Sequence, residues 1–466
     1  MDKKFVRIAG IAISNFKNVA SGKISLKNDQ GNYKASVLGV YGQNGSGKTA
    51  LIDTLELLKH VLGGSSIPNR YADYVSVDAE TAQISIEFLM QIKNKDVPIS
   101  YEFSLKKEES TSDGSYRASI FNESLKCPIL SDKREKIGKF IDTCNCDTFN
   151  PKAKRFLLAG KTKEAEVDLM VTRKLTNAQS RSFIFSHELS EIIEKNNKNV
   201  KDNEKTQYEY YKNIIDQLAD FGKHSLFVIN TTTSGLISLN AQPISFRYTE
   251  KRKGAMGTIM LPLEEPVVLP QEDVMVVSKV VKNMNIVLQQ LIPGLTISIK
   301  DLGTQLMEDG TTGSKIQLMS CKNSKEIPLK YESDGIKKII SVLQLLIVVY
   351  NQESITVAID ELDAGIFEYL LGELLRIISE RGKGQLIFTS HNLRALETID
   401  KQFLAFTTTN PNHRYTRMKN VKGNNNVRDM YYRDIMLGDE SEELYERTKN
   451  AEISLAFREA GRYNGA

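Results

Sequence analysis

One eight-residue segment near the N-terminus has the composition and spacing of a phosphate-binding loop. It follows the pattern G-x-x-x-x-G-K-[ST], with the residues Gly42, Gln43, Asn44, Gly45, Ser46, Gly47, Lys48 and Thr49. An apolar run precedes it at 37–41 and an amphipathic run follows it at 51–58, which is the strand–loop–helix context that the pattern requires. Glycines let backbone N–H groups close around phosphate oxygens, and the helix N-terminus adds positive potential. We therefore expect Lys48 to reach the β- and γ-phosphates of a nucleotide and Thr49 to hold Mg²⁺.

A second segment is a short apolar, β-branched run at 355–359 that ends in two carboxylates. Such a run is typical of a buried parallel strand, and ligands bind at the carboxyl ends of these strands in open α/β sheets. Asp360 is then placed to hold Mg²⁺, and Glu361 to orient and deprotonate an attacking water. Two acids after a strand can also simply cap the next helix. The phosphate loop upstream favours the catalytic interpretation.

Two further segments end or begin an element with polar groups. His391 follows the strand-like run 385–389, where it could contact a γ-phosphate, although a lone histidine is more often an ordinary surface or core residue. Its position 30 residues after Glu361, beyond one helix, favours the contact with the γ-phosphate. Ser333 and Gly335 precede a long apolar helix from 336 to about 350, where a hydroxyl, free N–H groups and the helix dipole make an anion site. Taken alone, the segment with Ser333 and Gly335 is better explained as a plain helix cap.

The order of these segments resembles that of the ABC-type ATPases. The resemblance is closest to the branch that contains the SMC, RecF and recombination-repair ATPases and the OLD-family nucleases. In that branch a phosphate loop, a long insertion, a signature motif, Walker B, a D-loop and a His switch follow in turn. Here Ser333-Asp334-Gly335 takes the signature position and Leu362-Asp363 the D-loop position. The opening run Ile13-Ser14-Asn15-Phe16-Lys17 is similar to the end of that branch's first strand.

This resemblance implies ATP and Mg²⁺ as cofactors and a role for each residue of the site. The implied catalytic residues are Lys48, Glu361 and His391, the metal ligands are Thr49 and Asp360, and the ATP contacts are the phosphate loop, Ser333, Gly335 and Asp363. The signature motif departs from the usual Leu-Ser-Gly-Gly-Gln, because Glu-Ser-Asp-Gly-Ile keeps only the serine and one glycine. Gln179 is a weak candidate for the Q-loop glutamine. The sequence does not identify the residue that stacks on adenine.

Length and composition indicate a soluble globular protein with two or three subdomains. The chain has 466 residues, of which 41% are hydrophobic and 26% charged. Its net charge of +4 is nearly balanced, which argues against a protein that coats DNA, although DNA binding stays possible. Neither a signal-peptide pattern nor an apolar run of membrane-spanning length occurs, so we expect a cytoplasmic protein without a membrane partner. The four cysteines do not form a metal-ligand pattern.

The predicted fold class is α/β, with the architecture of an ABC-type ATPase head. It consists of a P-loop mixed sheet with flanking helices, an antiparallel β subdomain indicated by the period-two runs within 83–125, and a mainly helical insertion without a long coiled coil. We assign residues 1–125 to an N-terminal lobe, 126–290 to the insertion, 291–410 to a C-terminal lobe with the signature, Walker B, D-loop and His switch, and 411–466 to a tail with a helix.

Two classes of function fit this organisation. The resemblance implies first an ATP-hydrolysing sensor and scaffold, like the ATPase subunits of bacterial anti-phage systems of the PARIS type. Such a subunit forms at least a homodimer through its ATP sites, controls a separate nuclease of the Toprim type and responds to a phage-encoded trigger. The alternative is a RecF-like DNA-repair ATPase that acts directly on DNA. A transporter subunit is a third possibility, against which the degenerate signature argues.

Overall fold

The computed structural model describes residues 5–27, 36–109, 116–130, 136–144, 157–238, 240–250, 253–307, 310–417, 426–437, 443–446 and 448–462. Its strands are β1 (Val6–Phe16), β2 (Val19–Ser25), β3 (Ser36–Tyr41), β4 (Thr81–Ile92), β5 (Lys95–Glu109), β6 (Tyr116–Ile129), β7 (Lys136–Asp142), β8 (Leu226–Ile229), β9 (Ala241–Glu250), β10 (Lys253–Pro262), β11 (Val267–Pro270), β12 (Leu295–Leu306), β13 (Thr312–Lys322), β14 (Lys325–Pro328), β15 (Thr356–Ile359), β16 (Gln385–Thr389), β17 (Leu404–Thr407) and β18 (Tyr415–Thr416). Its α-helices are α1 (Lys48–Gly63), α2 (Lys163–Ala178), α3 (His187–Asn197), α4 (Asp202–His224), α5 (Thr231–Ser238), α6 (Gln271–Leu291), α7 (Asp334–Asn351), α8 (Glu368–Arg381), α9 (Ala395–Thr398), α10 (Val427–Leu437) and α11 (Asn450–Arg462).

A mainly parallel sheet carries the elements that the sequence singled out. Its order is β18-β17-β3-β16-β15-β8, and only β18 runs antiparallel to its neighbour. Ile359 pairs with Phe388 on one side and with Ile229 on the other, so β15, β16 and β8 end at the same level. The residues that follow these strands therefore meet the loop after β3 at one edge. Both β15 and β16 are buried throughout, which explains their continuous apolar sequence.

An antiparallel sheet of order β2-β1-β4-β5-β6-β7 stands beside the parallel one. Along β4 the buried residues alternate with more exposed ones, as the period-two pattern predicts. The buried face packs against α1 and α4; for example, the rings of Phe88 and Phe221 meet edge to face with centroids 6.0 Å apart.

The side chain of Gln385 is one of the groups that join the two sheets. The amide of Gln385, at the start of β16, accepts a hydrogen bond from Ile8 N and donates one to Ile8 O, each at 2.8 Å. The hydroxyl of Thr356 in β15 also donates to the Gln385 side-chain oxygen, at 2.9 Å. Because these groups are buried, the amide stands in for a strand peptide that β1 would otherwise lack at this point.

The predicted α/β class, with an antiparallel β subdomain and a largely helical middle segment, is confirmed. Helices α2, α3 and α4 lie between β7 and β8, and α4, with 23 residues, is the longest helix of the described chain, so this part contains no SMC-type arm. Within 126–290 the structure also has the hairpin β9–β10, which the sequence interpretation did not predict. The same range contains β8, which pairs with β15 and thus belongs to the parallel sheet.

Candidate functional site

The phosphate loop connects β3 to α1 and is shaped by its glycines. Gly45 and Gly47 have φ angles of 75° and 92°, in the left-handed region that favours glycine. A Cβ atom at Gly42 would lie 1.7 Å from the hydroxyl oxygen of Thr407, so no side chain fits there. Gly47 is the N-cap residue of α1, so the loop ends at the positive pole of that helix. This arrangement suits a bound phosphate.

Lys48 is buried within this loop. Its ammonium donates to the carbonyl oxygens of Gly42 and Gln43, each at 2.8 Å. Burial lowers the pKa of the Lys48 ammonium, and the three carboxylates within 360–363 act in the opposite direction. The loop lysine and the acids that follow β15 lie at the same edge of the sheet, as a site for a phosphate and a cation requires.

The two acids after β15 are held by Thr389 of the neighbouring strand. The Thr389 hydroxyl donates to the carboxylate of Asp360 and accepts from Glu361 N, the second bond measuring 2.8 Å. Asp360 N donates to Ile229 O at 2.8 Å, which extends the pairing with β8 by one residue. Asp360 is fully buried, whereas Glu361 has a φ of 48° and an exposed side chain. The chain thus turns sharply between Asp360, whose side chain is buried, and Glu361, whose side chain is exposed.

The oxygen atoms that Asp360 and Thr49 offer at this site suit Mg²⁺ as a ligand set. The second carboxylate oxygen of Asp360, Oδ2, is buried and has no hydrogen-bond partner in the described part of the chain, so it has a lone pair to offer a cation. Thr49 follows Lys48 in the first turn of α1. Within the described residues, no group of three or more histidine, cysteine, aspartate or glutamate side chains is arranged to hold a metal ion by itself. Asp360 and Thr49 together suit a cation that takes its other ligands from phosphates and water, as Mg²⁺ does.

Asp363 and His391 lie next to each other. The Asp363 carboxylate accepts hydrogen bonds from the backbone N–H groups of His391, at 3.1 Å, and Asn392, at 3.0 Å. The imidazole of His391 is exposed. The structure therefore brings the two residues together by fixing the loop after β16 to the segment after β15.

The signature segment packs on the D-loop segment of the same chain. A Cβ atom at Gly335 would lie 2.0 Å from Gly365 O, and Gly365 itself has a φ of 75°. Ser333 is the N-cap residue of α7, where its hydroxyl accepts from Ile336 N at 3.4 Å. The helix-cap interpretation of Ser333 is thus correct, and its contact with ATP stays a prediction. A buried lysine, Lys338, follows on α7; burial lowers its pKa, against the pull of the carboxylates within 360–363.

The structure adds a polar residue that the sequence interpretation missed. Asn230 directly follows β8, so its position at the sheet edge is beside Asp360. Its side-chain amide donates to both carboxylate oxygens of Glu56 in α1, at 3.1 Å each. Gln179, by contrast, is exposed at the C-terminal end of α2 and accepts from Arg181. The signal for Asn230 was an apolar four-residue run before a polar residue, the same pattern as at 356–360.

The C-terminal segment also reaches the phosphate loop. The hydroxyl of Tyr415, in β18, donates to Gly47 O at 2.9 Å. Further along, Glu446 N donates to the side-chain oxygen of Gln43 at 2.8 Å. Part of the segment that the sequence assigns to a tail therefore touches the predicted ATP site.

A glycine-rich loop between a strand and a helix, facing a buried aspartate at the same edge of a parallel sheet, defines a P-loop nucleotide-binding protein. The family model described as AAA ATPase domain matches residues 7–394. The chain belongs to this family and is an ATPase.

Solved structures with a similar arrangement have low sequence identity to this chain. An SMC head bound to the C-winged helix domain of ScpA is 14% identical, with 89% of this chain and 98% of that chain covered and a TM-score of 0.46. The SMC head domain from Thermotoga maritima is 14% identical, with 89% and 99% covered and a TM-score of 0.38. The recombination mediator RecF with ATP is 12% identical, with 83% and 94% covered and a TM-score of 0.35. At these values we base no functional argument on the three likenesses.

No curated protein matches the chain. Within the described residues, no helix is both long and apolar enough to cross a membrane.

Proposed function

We propose that this ATPase is the sensor and scaffold subunit of a bacterial anti-phage defence system, most like AriA of the PARIS system. In this proposal ATP binding and hydrolysis control a separate nuclease of the Toprim type, and a phage-encoded protein is the trigger. The observation that carries the proposal is an outward-facing apolar stripe on α2, outside the nucleotide core, which suits a protein partner.

The ATP site itself would work through the residues at the sheet edge. The phosphate loop and Lys48 bind the phosphates, and Thr49 and Asp360 hold Mg²⁺, which supplies positive charge to the β- and γ-phosphates. Glu361, exposed at the edge, orients and deprotonates the attacking water. His391 contacts the γ-phosphate, and Asp363 fixes the loop that carries it.

The active unit would be at least a homodimer. Gly335 and Gly365 pack together, so the signature and D-loop segments form one continuous surface. In an ABC-type arrangement this surface faces the ATP of a second copy, with Ser333 contributing its hydroxyl in trans. The two glycines support the idea, because only residues without a side chain let the two segments approach each other this closely.

The apolar stripe supports a protein partner on the insertion. Four large apolar residues of α2 lie at helical spacing and are exposed: Val167, Met170, Val171 and Leu175, with exposed fractions of 57%, 41%, 58% and 40%. The opposite, buried face of the same helix contains polar residues, among them Arg173, which pairs with the buried Glu123 at 3.9 Å. Exposed apolar residues that adjoin one another in this way are typical of a surface that another protein covers.

The test is expression of the chain together with its flanking genes in bacteria that are challenged with phages. We expect Val171→Asp to reduce both co-purification of the nuclease and protection, while ATP hydrolysis is kept. Val77→Asp, the same substitution at a fully exposed valine outside this helix, is the matched control and should change neither. Full protection and an intact complex with Val171→Asp would refute the docking surface. Tight binding to duplex DNA at physiological salt, with protection against DNA damage instead of phage, would establish the RecF-like alternative.

A further inference from the structure

The strands β17 and β18, with the turn between them, form a hairpin that contacts the phosphate loop at both of its ends. At the start of the loop, the buried hydroxyl of Thr407 donates to Tyr41 O at 3.2 Å and shares a hydrogen bond with the hydroxyl of Ser46. At the other end, the hydroxyl of Tyr415 donates to Gly47 O at 2.9 Å. Thr407 and Tyr415 therefore bracket the loop, although no pattern in the sequence indicated either residue.

Arg414, directly before β18, is the third residue of this hairpin that adjoins the loop. It is buried, with 6% of its surface exposed. Its guanidinium donates to Thr408 O at 2.8 Å and to Asn18 O at 2.7 Å. The side-chain amide of Asn18 donates in turn to Gly45 O. A Cβ atom at Gly47 would lie 3.1 Å from Cγ of Arg414, so the arginine side chain packs directly on the loop.

The positive charge of Arg414 has no carboxylate partner in the described part of the chain. Its hydrogen bonds go to carbonyl oxygens, and its Nε atom is buried without a partner there. Burial lowers the pKa of the guanidinium, yet an arginine stays protonated at neutral pH. A buried charge without a counter-charge is costly, and it attracts an anion more strongly than an exposed charge does. Nucleotide phosphates at the adjoining loop are anions of this kind.

We propose that Thr407, Arg414 and Tyr415 are positioning residues for ATP binding. The two hydroxyls hold the phosphate loop at its ends, and the guanidinium holds it through Asn18 and places an uncompensated positive charge beside it. A loop that is already fixed in the shape that binds phosphate loses less freedom when ATP binds, which raises the affinity. The three residues act through the loop and not on the reacting atoms, so their effect falls on binding and not on the chemical step.

The first test removes the two hydroxyls in the full-length protein. We expect the double variant Thr407→Val/Tyr415→Phe to raise KM for ATP and Kd for a fluorescent ATP analogue roughly tenfold, because two hydrogen bonds are lost, with kcat within about threefold of wild type. The matched control is Thr408→Val, since the Thr408 hydroxyl donates within the hairpin, to His413 O at 2.8 Å. It should leave both constants unchanged, whatever its effect on the melting temperature.

The second test changes the charge of Arg414. Arg414→Met should weaken binding of the same analogue roughly tenfold and reduce the rise in melting temperature that ATP produces, whereas Arg414→Lys should recover part of both. Arg417→Met is the matched control. Arg417 also donates to carbonyl oxygens, Leu404 O at 3.0 Å and Ser25 O at 2.7 Å, but at the opposite end of β17 from Thr407.

The two tests separate positioning of the phosphate loop from a general effect on the fold. A purely structural role would lower the melting temperature and leave the affinity of the folded protein for the analogue unchanged. The proposal is overturned if the double variant binds the analogue as wild type does, or if kcat falls while KM is unchanged. Equal weakening by Thr408→Val or Arg417→Met overturns it as well. If Arg414→Met does not fold, the double variant decides alone.

Discussion

The side-chain amide of Asn230 donates to both carboxylate oxygens of Glu56, and this pair fixes the end of β8 to α1. The two donor–acceptor distances are 3.1 Å each. Glu56 is also held by the hydroxyl of Tyr71 at 2.9 Å and by the guanidinium of Arg70 at 2.9 Å. Asn230 therefore has a fixed place beside Asp360, at the same sheet edge as the phosphate loop.

The first prediction concerns this amide. Asn230→Ala should lower kcat for ATP roughly tenfold or more, because it removes a positioned polar group next to Asp360, the proposed Mg²⁺ ligand. Glu56→Ala should have a smaller effect in the same direction, since Asn230 is still present but no longer held. Gln179→Ala is the control and should leave steady-state hydrolysis unchanged. If Gln179→Ala lowered hydrolysis and Asn230→Ala did not, the role predicted for Asn230 would be wrong.

The second prediction concerns Lys48. Lys48→Ala should weaken ATP binding roughly 30-fold or more, because a charge-assisted contact with the phosphates is lost. Lys59→Ala, on the same helix but with its ammonium 5.9 Å from the ring centroid of Phe227, should bind ATP normally. Titration of a labelled ATP analogue onto both folded proteins decides between them. Equal affinities would rule out a phosphate contact by Lys48.

The third prediction concerns the homodimer that would form through the ATP sites. Glu361→Gln should bind ATP, hydrolyse it slowly and accumulate as an ATP-bound dimer in sedimentation experiments, because the water-activating carboxylate is gone and charge repulsion falls. Lys48→Ala and Ser333→Arg should each be inactive alone. A mixture of the two should recover part of the activity, since one of its two sites combines intact halves. A mixture that stays as inactive as its components would show that Ser333 does not act in trans.

The fourth prediction concerns the C-terminal segment. Removing 450–466 deletes α11 but keeps Glu446, whereas removing 441–466 also deletes the N–H group that donates to Gln43. One such hydrogen bond is worth about 1 kcal/mol, so the longer deletion should raise KM for ATP about fivefold and the shorter one should not. Steady-state kinetics of both truncated proteins is the measurement. Identical KM values would mean that the contact does not influence the phosphate loop.

The sequence predicts those parts of the site whose signals are local. The loop at 42–49 lies between adjacent strand and helix patterns, and the buried run before Asp360 is recognisable by composition alone. The antiparallel strands around 83–105 also follow directly from their period-two pattern.

Other parts depend on pairing between distant segments, which a single sequence does not reveal. β8 has only four residues, and its place in the sheet is set by β15, far along the chain. For the same reason the contact of Glu446 with Gln43 could not be predicted. The helix that the sequence assigns to the tail is α11, which begins at Asn450, four residues after the contact of Glu446 with Gln43.

The amide of Gln385 has a mechanical consequence. It hydrogen-bonds both backbone groups of Ile8, so two hydrogen bonds couple β16 to β1. The loop with His391 is at the opposite end of β16 from this joint. A displacement of β16 that starts at the nucleotide would therefore also displace β1, and with it the antiparallel sheet. The state of the ATP can in this way be sensed by another molecule at a surface that contains no residue of the ATP site.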